Sequence, residues 1–268
     1  MPLPAGACDC HVHVFGPAAR YPYAPERAYT PADAPLESYR AVMNDLGLGR
    51  AVLVQPSVYG NDNRTMLDAM REGGGDLRGI AVVDPAGEDD LAALHAAGVR
   101  GLRVNRLFPG APADVTGLAR CIAPLGWHLQ VLIDVAEDPA AVARLGDLPV
   151  PVVFDHLGHM PPGTGPDHAG FRTLLGLLGD GAWVKLSAPY RLSAGGAPPY
   201  DDVRPLAEAV LAAAPDRVVW GSDWPHPALT GPAPRPEDLL IPLLDWIDDD
   251  ELRQRVLVDN PARLYGFT

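Results

Sequence analysis

Lysine is almost absent from this 268-residue chain: Lys185 is the single lysine among 21 Lys and Arg side chains. Any fixed cation offered to an anionic ligand is therefore almost always an arginine, whose planar fork grips a carboxylate at two points where an ammonium offers one. Cysteine is scarce too. Cys8, Cys10 and Cys121 cannot all pair, and three thiols do not make a disulfide framework. No stretch approaches the roughly 18–20 uninterrupted apolar residues that a membrane span needs. The first ten residues carry neither a basic region nor a long apolar stretch, so no secretion signal is expected and the cytoplasm is the expected location. Formal net charge is −13 with no basic cluster, which argues against nucleic acid and anionic membrane surfaces as partners. A small anionic substrate would need local arginines to reverse that field. Internal repeats of fixed period and low-complexity linkers are lacking as well, so one domain over residues 1–268 is expected, and a homo-oligomer stays open.

Apolar residues make up 47% of the chain and mean hydropathy is near zero, the profile of a globular protein with a large core. Short apolar runs alternate with helix-period stretches. Strands are expected at 8–14, 51–55, 79–83, 101–105, 128–134, 150–155, 183–186 and 218–221. Several lack polar alternation, as parallel strands buried on both faces do. Between them Leu36, Tyr39, Val42, Met43 and Leu46 share one helix face, with Gly47 as the stop; Val203, Leu206, Val210 and Leu211 share a second, and Leu240, Leu243, Leu244 and Ile247 a third. The triple glycine 73–75 lacks the Lys-Ser/Thr of a phosphate loop and is expected to stop a helix. After the first strand, where an open doubly wound sheet would carry its glycine-rich loop, stands His-Val-His. The fold class expected is α/β, a single-domain (β/α)8 TIM barrel.

In such a barrel function gathers at the carboxyl ends of the strands. The polar residues there are His11 and His13, Gln55 and Ser57, Arg103 and Asn105, Asp134, His156, then Ser187, Tyr190 and Arg191, and last Asp223 and His226. His11 and His13 lie two apart on a strand and so share a face. An H-x-H pair alone is weak, and Asp223 alone would serve as a helix cap. Together with His156 they converge on one cavity, where they can bind a divalent ion or polarise a carbonyl while Asp223 activates water. Cys8 and Cys10 alternate away from the histidines and are expected to be buried core thiols. His159 is expected in solvent, and Trp224 and Trp246 in packing roles.

Four segments resemble the amidohydrolase-related family: Asp-Cys-His-Val-His-Val-Phe-Gly-Pro (9–17), Phe-Asp-His-Leu-Gly (154–158), Gly-Ser-Asp-Trp-Pro-His (221–226) and Asp-Asn-Pro-Ala-Arg-Leu-Tyr-Gly-Phe (259–267). The chain is most similar to the branch of 2-pyrone-4,6-dicarboxylate lactonases and related lactone hydrolases, through 21–31, Gly-Leu-Arg-Val-Asn (101–105) and Val-Lys-Leu-Ser-Ala-Pro-Tyr-Arg (184–191). The resemblance implies a hydrolase that opens a carboxylate-bearing lactone, such as 2-pyrone-4,6-dicarboxylate, a muconolactone or a sugar-acid lactone. Asp223 would be the general base for water, and His11, His13 and His156 would polarise the carbonyl. Arg103 and Arg191 match positions that hold substrate carboxylates, and Tyr29 and Ser57 match positions that contact substrate; Tyr190 and His226 are further candidates. The chain departs from the pattern at Arg106, where relatives carry an apolar residue, and at Pro109, where they place a basic one. Arg106 is the candidate replacement clamp.

Many superfamily members bridge two metals with a carboxylated lysine near the middle strands. Lys185, in the seventh strand, stands in the wrong place for that. No obligatory cofactor is expected; the alternative is one Zn2+ on His11, His13, His156 and Asp223. Rival readings of the same barrel are a mononuclear zinc hydrolase or decarboxylase, a lactone isomerase, and a silent barrel that binds an acidic metabolite or a partner protein.

Overall fold

The computed structural model describes residues 3–84, 90–107, 114–229 and 231–268. Each of the eight apolar runs forms a strand: β1 Cys8–Val12, β2 Arg50–Val54, β3 Leu77–Ala81, β4 Val99–Asn105, β5 His128–Leu132, β6 Val152–Phe154, β7 Trp183–Ser187 and β8 Val218–Gly221. Consecutive strands pair in parallel, in chain order from β1 to β8. The ring closes just past the last strand, where the His13 amide donates to the Trp224 carbonyl at 2.8 Å and the Asp223 amide to the His11 carbonyl at 2.9 Å. Helices cover the outside, which makes the molecule a (β/α)8 TIM barrel. Among the described residues no helix is long and apolar enough to cross a membrane.

The expected helices form for the expected reasons. Leu36–Leu46 buries Leu36 and Tyr39 and stops at Gly47, whose φ of 73° suits a residue without Cβ. The helix Arg64–Gly73 ends at the triple glycine. Arg204–Ala213 buries Leu206, Ala207, Val210 and Leu211. Five expected strands overrun at their carboxyl ends. Val14, Gln55, Val83, Asp134 and Asp155 lie after the last ladder residue. Burial continues past the last ladder residue at Val14, Gln55 and Asp155, which is why the apolar pattern outlasts the strands.

Inside the barrel Cys8, Cys10, Val52, Val54, Ile80, Val153 and Val219 pack together, and Tyr265 and Phe267 plug the amino-terminal end. The cysteines are buried thiols as expected, but their facing differs. Strict alternation would set them opposite His11 and His13; the pairing of β1 with β2 shifts register between Asp9 and Val12, and the extra residue turns all four side chains inward. Asp9 faces out. Its Oδ1 accepts from the His11 amide at 3.1 Å and the Ser222 amide at 2.9 Å, and its Oδ2 from the Tyr39 hydroxyl at 3.0 Å. One buried carboxylate thus staples β1 to the turn that carries Asp223. Burial pushes it up to about 6, against the hydrogen bonds from Ser222, His11 and Tyr39. Gly221 is the second device: a Cβ there would lie 2.6 Å from the His11 Cβ and 2.8 Å from its amide nitrogen. Only glycine lets β8 lie this close to His11.

Candidate active site

The floor of the site is a fully buried polar layer inside the barrel. Lys185 of β7 donates to the Cys10 carbonyl at 2.8 Å and to Gln130 Oε1 at 2.7 Å, and its Nζ lies 3.4 Å from His11 Nδ1. Gln130 Nε2 donates in turn to Asp155 Oδ2 at 3.1 Å. Asp155 Oδ1 lies 3.2 Å from His11 Nδ1 and 3.6 Å from Lys185 Nζ, while Arg103 approaches Oδ2 at 3.5 Å. Burial alone would raise the Asp155 carboxyl; His11, Lys185 and Arg103 outweigh it and hold it well below the usual carboxylate range. Burial lowers Lys185, which Asp155 partly offsets.

Above this floor His11 Nε2 and His13 Nε2 approach to 3.3 Å, and Asp223 Oδ1 lies 3.7 Å from the first and 3.5 Å from the second. His13 Nδ1 is 2.7 Å from the Val54 carbonyl, and His156 Nδ1 is 2.8 Å from Ser187 Oγ. The other oxygen of Asp223 is spoken for: Tyr190 donates to Oδ2 at 2.6 Å, and Arg191 contributes Nε at 3.0 Å and Nη2 at 2.9 Å. Burial would raise Asp223, yet Arg191 and the histidines hold it well below the usual carboxylate range. Burial pushes His11 down to about 3 and lowers His13 and His156 as well, so the imidazoles are neutral near pH 7.

The backbone here is strained. Eight described non-glycine residues have positive φ, and His156, Leu157, His159, Ala188, Asp223, His226 and Ala228 among them ring the site. Such conformations cost about 1–3 kcal/mol each and persist where surrounding structure fixes them.

A cavity of about 160 Å3 opens on these groups, lined by His13, Tyr29, Ser57, Arg103, Asn105, Leu107, His156, His159, Arg191 and Asp223 among others. Wider surface grooves exist, one of about 490 Å3 beside Arg20, Asp68 and Glu72. They hold no histidine cluster, so the chemistry selects the smaller cavity. Four expectations shift. Arg106 is exposed, and the neighbouring Leu107 lines the cavity instead; Pro109 falls outside the described residues. Tyr190 stands behind Asp223, and His226 packs edge-on to the Tyr190 ring at 5.4 Å rather than lining the cavity. His159, expected in solvent, is half-buried on the cavity wall because the turn after β6 folds back at Leu157 and Gly158. The residues sequence reasoning passed over are Asp155, Gln130 and Lys185. Their signal was a polar side chain on a buried strand for Gln130 and Lys185, and a carboxylate directly after one for Asp155.

The donor set fits one divalent ion. His11, His13 and Asp223 bring one ligand atom each within mutual reach, while His156 groups instead with His11 and Asp155. The three separations of 3.3, 3.7 and 3.5 Å resemble the edges of a zinc tetrahedron, about 3.3 Å for bonds of about 2.0–2.1 Å.

A family model described as amidohydrolase matches residues 8–267. The chain belongs to the amidohydrolase family. Within it, the chain is 42% identical over 278 aligned positions to a 2-pyrone-4,6-dicarboxylate hydrolase of Comamonas testosteroni, covering 98% of this chain and 91% of that one. It is 40% identical to a 4-sulfomuconolactone hydrolase of Rhizobium radiobacter, with the same coverage. A ligand-free crystal structure from Agrobacterium tumefaciens superposes with a TM-score of 0.91 at 30% identity, covering 100% of this chain and 98% of that one.

Proposed function

We propose that this amidohydrolase-family protein hydrolyses a lactone that carries carboxylate groups, of the 2-pyrone-4,6-dicarboxylate or muconolactone kind. The observation that carries the reading is one small cavity holding a buried, ionised carboxylate, three neutral histidines and two arginines. The names of the two relatives support the substrate class. Arg103 and Arg191 hold the carboxylate, and Tyr29 and Ser57 border the ring. Asp223 Oδ2 is occupied by Tyr190 and Arg191, so Oδ1 takes the proton from water. The water oxygen bonds to the lactone carbonyl carbon, and His156, with its Nδ1 accepting from Ser187, supplies its Nε2–H to the oxyanion, while His11 and His13 form the wall behind it. Collapse breaks the ring C–O bond, and Asp223 returns its proton to the departing enol or alcohol oxygen. Lactone plus water becomes hydroxy acid, with no other reactant.

A second reading has a specific observation behind it: the near-tetrahedral spacing of His11, His13 and Asp223. A divalent ion held there would act as a Lewis acid on the carbonyl and on water. The test is turnover of 2-pyrone-4,6-dicarboxylate, a muconolactone and a sugar-acid lactone by protein stripped with chelator. The expected result is hydrolysis of at least one that survives chelation. Activity on these lactones that vanishes with chelator and returns with zinc would overturn the metal-free version; inactivity toward all of them in both states would overturn the lactonase reading.

A further inference from the structure

His11 is the one site residue whose Nδ1 faces a cation and an anion at once: Lys185 Nζ at 3.4 Å and Asp155 Oδ1 at 3.2 Å. The two make opposite demands. An ammonium can only donate, so a bond from Lys185 requires a bare Nδ1 and puts the proton on Nε2. A carboxylate can only accept, so a bond to Asp155 requires the proton on Nδ1 and leaves a lone pair on Nε2.

The neighbours decide between them. The Val54 carbonyl can only accept, so His13 carries its proton on Nδ1 and its neutral ring offers a lone pair at Nε2. The His11–His13 contact of 3.3 Å is then a hydrogen bond only if His11 donates from Nε2. That leaves His11 Nδ1 to accept from Lys185, whose other two protons go to the Cys10 carbonyl and Gln130 Oε1. This assignment satisfies the chain from Lys185 through His11 and His13 to Val54; its cost falls on Asp155 Oδ1, which keeps only the ion pair with Lys185 at 3.6 Å. In the other, three acceptors face one another without a proton: His11 Nε2, His13 Nε2 and Asp223 Oδ1. That arrangement suits a metal cation.

We propose that Lys185 and Asp155 form a buried tautomer selector for His11. Lys185 holds the form that presents an Nε2–H to His13. Asp155 supports the form that presents a lone pair, able to ligate a divalent ion. Both act through His11 and touch neither substrate nor metal, so they are positioning residues. Gln130 couples them, accepting from Lys185 and donating to Asp155, and Arg103 is the remaining charge against Asp155. This inference goes beyond the choice of lactone and does not depend on it.

The test uses full-length protein with 15N-labelled histidine, stripped of metal and then titrated with Zn2+ while heat of binding is followed. Metal-free wild type is expected to show His11 protonated at Nε2. Lys185→Met should move the proton to Nδ1 and tighten zinc binding, whereas Lys185→Gln, which keeps a donor, should restore the wild-type tautomer. Asp155→Asn should keep the Nε2 proton and weaken zinc by about 10–100-fold, the usual effect of losing the acceptor behind a ligating histidine. A metal-free wild type with its His11 proton on Nδ1 overturns the proposal, as do Lys185→Met and Asp155→Asn variants that shift zinc affinity in the same direction. If Lys185→Met does not fold, the wild-type tautomer and the Asp155→Asn affinity decide. If none of the proteins binds zinc measurably, the tautomer assignments decide alone.

Discussion

Asp223→Asn is expected to lower kcat by about 10²–10⁴-fold, the usual contribution of a positioned general base, without raising KM. The amide is nearly isosteric but cannot take a proton from water. Asparagine also frees Arg191, whose Nε and Nη2 both contact Asp223 Oδ2 in the resting site. An arginine released from that pairing holds a substrate carboxylate more strongly, so KM should stay level or fall. This split separates loss of the base from loss of a binding group, which would raise KM with kcat unchanged. Thermal melting of the variant checks that the site still folds, since Tyr190 and the Pro227 carbonyl continue to anchor the segment and Arg191. Steady-state kinetics retaining more than a tenth of wild-type kcat would place the base elsewhere.

Acidification is the second large effect. Burial pushes His11 and His128 down to about 3, and His226 to about 4. An unfolded histidine titrates near ~6.5, so below that pH the unfolded chain takes up protons that the folded one refuses. The stability these neutral histidines provide is therefore complete above pH ~6.5 and is lost as pH falls toward their folded values. At pH 4.5 the loss is about 2–3 kcal/mol each for His11 and His128, large against a typical folding stability of about 5–15 kcal/mol. His13 and His156 shift the same way. Asp9 opposes them: its carboxyl, raised to about 6, binds a proton more tightly when folded and regains some stability between pH 6 and 4. Asp155 and Asp223, held well below the usual range, stay ionised throughout this window. Several histidines outweigh one aspartate, so the melting temperature should fall steeply between pH 6.5 and 4.5. A melting temperature flat or rising over that interval would show that the buried imidazoles are not neutral as described.

Much of the architecture could be read from local pattern. Eight Val- and Leu-rich runs, alternating with one-sided helices, carry the barrel by themselves, because buried parallel strands and amphipathic helices leave direct compositional marks. His11, His13, His156 and Asp223 were legible for a related reason: the fold gathers polar residues at strand ends on one rim. What local pattern does not contain is contact between distant residues. Lys185 meets His11, Gln130 and Asp155 only after β1, β5, β6 and β7 share one interior, and the register shift in β1 that aims His11 has no mark in the periodicity. Arg106 reads as a clamp but is exposed, since the chain turns at the end of β4. Tyr190 and Arg191 were expected on substrate; Tyr190 is committed to the Asp223 carboxylate, and Arg191 is shared between that carboxylate and the cavity.

Lactone opening by water is tested most directly by turning over the best lactone substrate in 18O-labelled water and weighing the product. The expected product has gained one water, with the label in the newly formed carboxylate and none in the hydroxyl or enol oxygen released from the ring. A product isomeric with its substrate, carrying no label, would contradict lactone opening by water and make this site an isomerase.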